Sequence, residues 1–339
     1  MRDVLTVILG LAGALVYGAA DFLGGLAARR ISALRVTAVG ALSGVVLLAL
    51  GSLLVPGRWS WEAVLWGGIS GVTGAAAIAL LYACLAIGPM SILSPLTAVT
   101  SAIVPLTWGL VTGSQLGVIA YPAFALALVA VVLVGFVPSK EAVRPTLAGL
   151  LMAVASGTLI GAFYILIDQT PDDSGLVPLV VNRSVSGSIM ITLILVLAVV
   201  AAARHVRATD APLAVLDGAH GAPHGLAADA PAAAGTAVAE PTEGGAGTRL
   251  LRASAAALRG GWRGGFWLAV GCGLLDAVAN IIVIVGLRVG ELTIVSVLTA
   301  LYPAGTILLA AVVLRERIAR LQWVGLVLAL AASAMLAAA

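Results

Sequence analysis

The chain has 339 residues, of which 61% are hydrophobic and 10% charged, with a mean hydropathy of +1.15 and a formal net charge of +3. No soluble domain presents that composition to water. Nor does the positive balance point to nucleic acid, because nearly all of the 17 arginines and the one lysine sit in connections between apolar runs rather than in a basic domain.

Runs of 18 or more apolar residues match the roughly 30 Å hydrocarbon core of a bilayer at about 1.5 Å per helical residue. The first covers residues 4–28 and contains Asp21; it is too long for a secretory signal and reads as a span. Four more are predicted at 34–55, 62–87, 91–112 and 115–137, and five at 145–167, 175–202, 265–288, 292–314 and 319–338. Pro95 and Pro105 in the fourth span and Pro303 in the ninth are expected to break the backbone ladders there. Cys84 and Cys272 each lie in an apolar run and read as small core residues, not as a disulfide or a metal site.

Most connections are short, but residues 203–262 are rich in Ala, Gly and Pro and cannot bury enough apolar surface to offset their ordering entropy. They are predicted to form a disordered linker. Its far end, Arg249 to Arg263, spaces arginines as either an interfacial amphipathic helix or a solvated tether would. His205, His220 and His224 all fall in the linker, where no surrounding fold would hold a metal.

The sequence repeats itself. An offset of 202 carries Gly71 onto Gly273 and Ala75 onto Ala277, and lays GPMSILSPLTA on GELTIVSVLTA, pairing spans three and four with eight and nine. An offset of 143 carries Gly18-Ala19 onto Gly161-Ala162 and Ser43-Gly44 onto Ser186-Gly187, pairing one and two with six and seven. The offsets differ by 59, about the length of the linker. A unit of five spans returns to the membrane from the opposite side, so the repeat is inverted. The expected fold is all-α and membrane-integral, with ten transmembrane helices in two inverted five-helix repeats: residues 1–138, then 139–202 with 263–339.

Two segments resemble a known family, VYGAADFLGG in span one and GELTIVSVLTALYPAGTILLAAVVLRERIARLQWVG across spans nine and ten. With Pro303 in the ninth span, the turn Arg315-Glu316-Arg317 and then Gly325, the second is similar to EamA-like members of the drug/metabolite transporter superfamily. Tyr17 stands where many members have Trp. The resemblance implies carriage of amino acids, sugars or other metabolites.

An ionisable group in hydrocarbon costs about 2.5–3.5 kcal/mol on insertion scales, so each one needs a reason. Asp276 falls near the middle of span eight with Asn280 one turn later on the same face, an arrangement suited to a substrate cavity, to proton carriage or to a packing hydrogen bond. Arg183, next to Asn182 in span seven, suits a substrate carboxylate or phosphate, or a pairing with Asp276 or Asp21. Asp21 is expected near an interface beside Arg29 and Arg30. Tyr17, Tyr82, Tyr164, Tyr302 and Trp108 are candidates for an aromatic cavity wall or for interfacial anchors. Small residues at four-residue spacing, such as Gly67-Gly71-Ala75, suit close helix approach.

Arg29, Arg30, Lys140, Arg144, Arg315, Arg317 and Arg320 all lie in odd-numbered connections, which places both termini outside. The sequence contains no GxxxxGK[ST], no HExxH and no Ser/His arrangement, so neither an enzyme, a cofactor nor a metal is expected. The functional expectation is a multi-pass cell-membrane transporter, proton-coupled or facilitative. Its partners would be a small-molecule solute and the lipid bilayer, a homodimer being compatible. A non-transporting scaffold or partner subunit is the alternative.

Overall fold

The computed structural model describes residues 2–87, 90–114, 117–135, 145–209, 264–315 and 318–338, and these are helical with no strand. In chain order the helices are α1 (Arg2–Ala28), α2 (Ala33–Leu54), α3 (Trp61–Ile87), α4 (Met90–Thr112), α5 (Ala120–Gly135), α6 (Leu147–Asp168), α7 (Val177–Thr209), α8 (Phe266–Val289), α9 (Leu292–Thr299), α10 (Tyr302–Val313) and α11 (Arg320–Ala337). A single 3-10 turn, Asp172–Ser174, precedes α7. These coincide with the ten predicted spans, α9 and α10 together making the ninth. Among the described residues nine spans are long and apolar enough to cross a membrane, and α5 is a shorter apolar helix of 16 residues.

The chain divides into a body, Met1–Thr192 with Gly261–Ala339, and a second unit, Leu193–Gly260. The described part of the second unit is the continuation of α7, which runs to Thr209 rather than stopping at residue 202. Ala203 to Thr209 contain good helix formers and neither Gly nor Pro, so nothing local ends the helix where the apolar run ends. The rest of the expected linker, including the stretch Arg249 to Arg263, lies outside the described residues.

The prolines remove ladder bonds in both spans, but only one span divides. Pro95 and Pro105 lie inside a continuous α4. A proline removes one ladder bond, and close neighbours can hold the remainder in line. Here α6 packs tightly along α4: a Cβ added at Gly157 would sit 2.7 Å from Thr100 Cβ, and one at Gly161 would sit 2.7 Å from Val104 Cβ. Span nine does break. The Leu301 amide turns back to the Leu298 carbonyl, and α10 restarts with Pro303 in its first turn.

Packing partners come in exchanged pairs. α1 packs on α8 as α6 packs on α3, and α1 packs on α9 and α10 as α6 packs on α4. α2 packs on α8, while Asn182 of α7 donates to Ser70 of α3. α5 meets α11, and α4 meets α9, each partner being the other's repeat counterpart. The glycines matched in sequence mark equivalent seams. A Cβ added at Gly18 would sit 2.6 Å from the Thr306 amide nitrogen, as one added at Gly161 would sit against Val104. Gly273 abuts Gly40 and Ser43, as Gly71 abuts Asn182 and Val185. Outward faces are apolar, as in the stripe Leu42, Val46, Leu50 and Leu54 along α2, which suits lipid.

Candidate functional site

Small residues line the seam of α2 on α8, and one long side chain runs beside it. Gly44 faces Ala277, and a Cβ added there would stand 3.7 Å from both the Ala277 methyl and Cδ of Arg183. Beside this contact Arg183 of α7 forms an ion pair with Asp276 of α8. The side chains are 15% and 27% exposed, enclosed but not sealed. Asn280 donates to the Asp276 carbonyl at 2.7 Å and to its carboxylate at 3.4 Å. Arg183 Nε is buried without a hydrogen-bond partner among the described residues.

Around this pair the body gathers further polar groups. Tyr17 of α1 lies within electrostatic reach of Arg183, Asp276, Asp21 and Tyr164. Asp21, one turn along the same helix, reaches Asp276, Tyr164 and Tyr302. Asp21 was expected at an interface beside Arg29 and Arg30; it instead shares the neighbourhood of the mid-span pair. Its side chain is exposed and makes no hydrogen bond or ion pair among the described residues. Cys272 was read from sequence as a core residue, but it is half-buried and lies within reach of Asp276, Asp21 and Arg183. Its spacing of four residues before Asp276 was the available signal.

The other candidates fall elsewhere. Asn182 is 3% exposed and donates at 2.9 Å to Ser70 of α3, so its amide serves a helix seam. Trp108 is 43% exposed in an apolar groove with Ile103, Val111 and Ile165, apart from the charged cluster. The side chain of Tyr82 lies outside the described residues.

A second polar group at one end of the body was not singled out from sequence. Arg288 at the end of α8 donates to Ser174 Oγ at 3.1 Å and to the Gly175 carbonyl at 2.8 Å. Gly175 has φ +54°, in the left-handed region that favours glycine. Arg58 approaches Asp173 at 3.6 Å, and Ser114 donates to Glu291 at 3.2 Å. Asp168 lies within reach of Glu291 and Asp172. Loop residues far apart in sequence offer no periodicity that would reveal such a group.

Nine long apolar spans around an enclosed ion pair define a multi-pass membrane protein with a charged centre. Residues 249–338 match the EamA-like transporter family, part of the drug/metabolite transporter superfamily. The segment carrying Asp276, Pro303 and Gly325 is therefore EamA-like, and members of that family are transporters. One crystal structure of a protein aligns over 97% of both chains with a TM-score of 0.59 at 14% identity, a likeness of fold alone. No curated protein sequence matches the chain.

Proposed function

We propose that the protein is a secondary transporter of the cell membrane that moves a small metabolite, of amino-acid or sugar size, by alternating access. The observation that supports this best is the Arg183–Asp276 pair, which is partly exposed although it lies mid-span. Charged groups at that depth are stable facing a water-filled cavity or one another, and a purely structural pair would be sealed. Asp21, Tyr17 and Tyr302 complete the cavity lining, with Asn280 orienting the Asp276 carboxylate. The moving halves are residues 1–138 and residues 139–202 with 263–339, and 203–262 tether the second half across its interruption. The exchanged helix pairs support this division, because they give each half the same neighbours. Transport is coupled to protons at the carboxylates or is facilitative.

The test is uptake of a mixed metabolite panel into proteoliposomes, with and without a pH gradient, by wild type, Asp276→Asn and Arg183→Gln. Movement of a solute by wild type and its loss in both variants is the expected result. Equal movement by all three proteins would remove the site and leave the transporter.

A further inference from the structure

Inverted repeats allow the two ends of the body to be compared position by position. The offset of 143 carries Asp21 onto Tyr164, Gly24 onto Ile167 and Gly25 onto Asp168, so α1 and α6 present equivalent faces toward opposite sides of the membrane. On α1 that face lies between α8 and α10: a Cβ added at Gly24 would stand 3.1 Å from Cys272 Sγ, and one at Gly18 would stand 2.7 Å from Gly305 Cα. Near the start of the helix α9 fills the space, where a Cβ at Gly10 would stand 2.8 Å from Leu298 Cβ. Beyond Gly18 the face is open. Asp21, Gly25 and Ala28, at successive turns, are exposed, and a Cβ added at Gly25 would meet nothing within 4 Å. They lie about a third of a turn from the lipid stripe Val4, Ile8 and Leu15, so their exposure is to a cleft.

The equivalent face of α6 is sealed. Tyr164 is 5% and Ile167 2% exposed, packed in one apolar cluster with Leu48, Leu179 and Ile284. Tyrosine and isoleucine stand on α6 where α1 carries a carboxylate and a glycine, so apolar burial plugs this end and finds no matching bulk on α1 at the other. Above the plug two loops from different repeats are clasped. The Arg58 amide donates to the Asp173 carbonyl at 2.9 Å, and a Cβ added at Gly57 would run into the Ser174 carbonyl, so backbone lies on backbone. Arg288 holds the receiving turn through Ser174 and Gly175, and Ser114 ties the first repeat to Glu291 of the second. The Arg58 and Asp173 side chains are 78% and 57% exposed, and exposed ties of this kind are individually weak. They bias a conformation without locking it.

We propose that the clasp and the plug beneath it form a gate. In this conformation the gate is shut at the end that carries Glu62, Asp172 and Asp173, while the site opens along α1 toward the end that carries Arg29, Arg30 and Arg35; the gate opens as the α1 cleft closes. The bulk of Tyr164 and Ile167 makes this the resting conformation. The inference rests on the transport reading above and deepens it, since it names the barrier a solute must pass.

The test is thiol labelling of the full chain in a Cys84→Ala/Cys272→Ala background, in membrane vesicles of each orientation, with a membrane-impermeant maleimide. Glu62→Cys and Ser32→Cys, both at exposed positions, mark the two faces. Gly25→Cys is expected to react from the Ser32 face alone and Ile167→Cys from neither. Gly57 does not use the left-handed region, so Gly57→Val obstructs the clasp without straining its own backbone. It is expected to raise Ile167→Cys labelling from the Glu62 face about tenfold and to lower Gly25→Cys labelling to about half or less, because both report one equilibrium. Ser114→Ala is expected to move both rates the same way by less, and it decides the matter if thermal unfolding finds Gly57→Val misfolded. Gly25→Cys labelled from the Glu62 face, or from neither, would overturn the open cleft. Ile167→Cys unchanged in the folded variants, or raised with no fall at Gly25→Cys, would overturn the gate. Labelling needs no solute, so reciprocal rates beside a metabolite panel that does not move would remove the transport reading and leave the gate.

Discussion

Arg183 of α7 and Asp276 of α8 meet beside α2, where the Arg183 stem passes Gly44 and Ala277 at van der Waals distance. Two consequences separate the stabilising role of the pair from its part in transport. Removing one partner strands a charge, which costs roughly 3–5 kcal/mol for a sealed pair and about half that where both groups keep some exposure. Replacing both with leucine removes the stranded charge. Thermal unfolding in detergent is expected to show Asp276→Ala melting well below wild type and Arg183→Leu/Asp276→Leu close to it. Transport is expected to be lost in both. An active double variant would reduce the pair to a packing device.

The helix seams make a contrast within one turn of α3. A Cβ at Gly71 would lie 2.6 Å from the Asn182 carbonyl oxygen and 3.0 Å from Val185 Cβ, whereas one at Gly74 would meet nothing within 4 Å. Backbone cannot give way as a side-chain tip can, so Gly71→Ala is expected to destabilise by about 1–3 kcal/mol. Gly74→Ala is expected to be neutral or slightly stabilising, because alanine costs less than glycine in a helix interior. Chemical unfolding of the two variants in parallel is the check.

The helix pattern was legible because each span must be apolar for about 20 residues, a signal that needs no knowledge of neighbours. The exchanged seams were legible too, since Gly71 and Gly273 match in sequence and occupy matching helix contacts. Asp276 and Arg183 stood out because charge in hydrocarbon is rare, but the sequence left open whether Arg183 pairs with Asp276 or with Asp21. That choice depends on how α7 and α8 are set against each other, a property invisible in either helix alone. Asn182 and Trp108 were drawn into the candidate site by residue type. Their faces, one turned to Ser70 and the other to an apolar groove, are set by helix rotation, which uniformly apolar spans do not encode.

Asn182 gives a test of that distinction. Its amide nitrogen and Ser70 Oγ are both buried, and Ser70 Oγ in turn donates to the Gly67 carbonyl at 2.7 Å. Ser70→Ala leaves the amide without its partner, at a cost of about 0.5–2 kcal/mol for an interhelical hydrogen bond in a membrane protein. The expected outcome is a lower melting temperature with the substrate KM unchanged. A raised KM at unchanged melting temperature would return Asn182 to the cavity.

The interruption of span nine is expected to matter for movement rather than for folding. Pro303 supplies no amide to the carbonyl of Thr299, so the ladder is open between α9 and α10. Pro303→Ala restores a donor and favours one continuous helix. It is expected to leave the melting temperature equal or higher while slowing transport severalfold, with added hydrogen-exchange protection around residues 299–303 as the direct readout.

Cys272 is a native reporter of the cluster. Cys84 is fully buried, whereas Cys272 is half-buried beside Asp21 and Asp276, with its sulfur close to Gly24. A thiol reacts with a methanethiosulfonate only where water reaches it, so modification of Cys272 in a Cys84→Ala background reports an aqueous cavity rather than lipid. The charge of the reagent then reads the local field. A unit charge about 8 Å away at an effective dielectric near 20 is worth roughly 2 kcal/mol, so a cationic reagent is expected to outpace an anionic one tenfold or more. Asp21→Asn removes the unpaired charge and should bring the two rates together, while the Arg183–Asp276 pair, being neutral as a whole, contributes little to the difference. Equal rates before the substitution would mean that Asp21 does not set the field at Cys272, and an unreactive Cys272 would mean that water does not reach this part of α8.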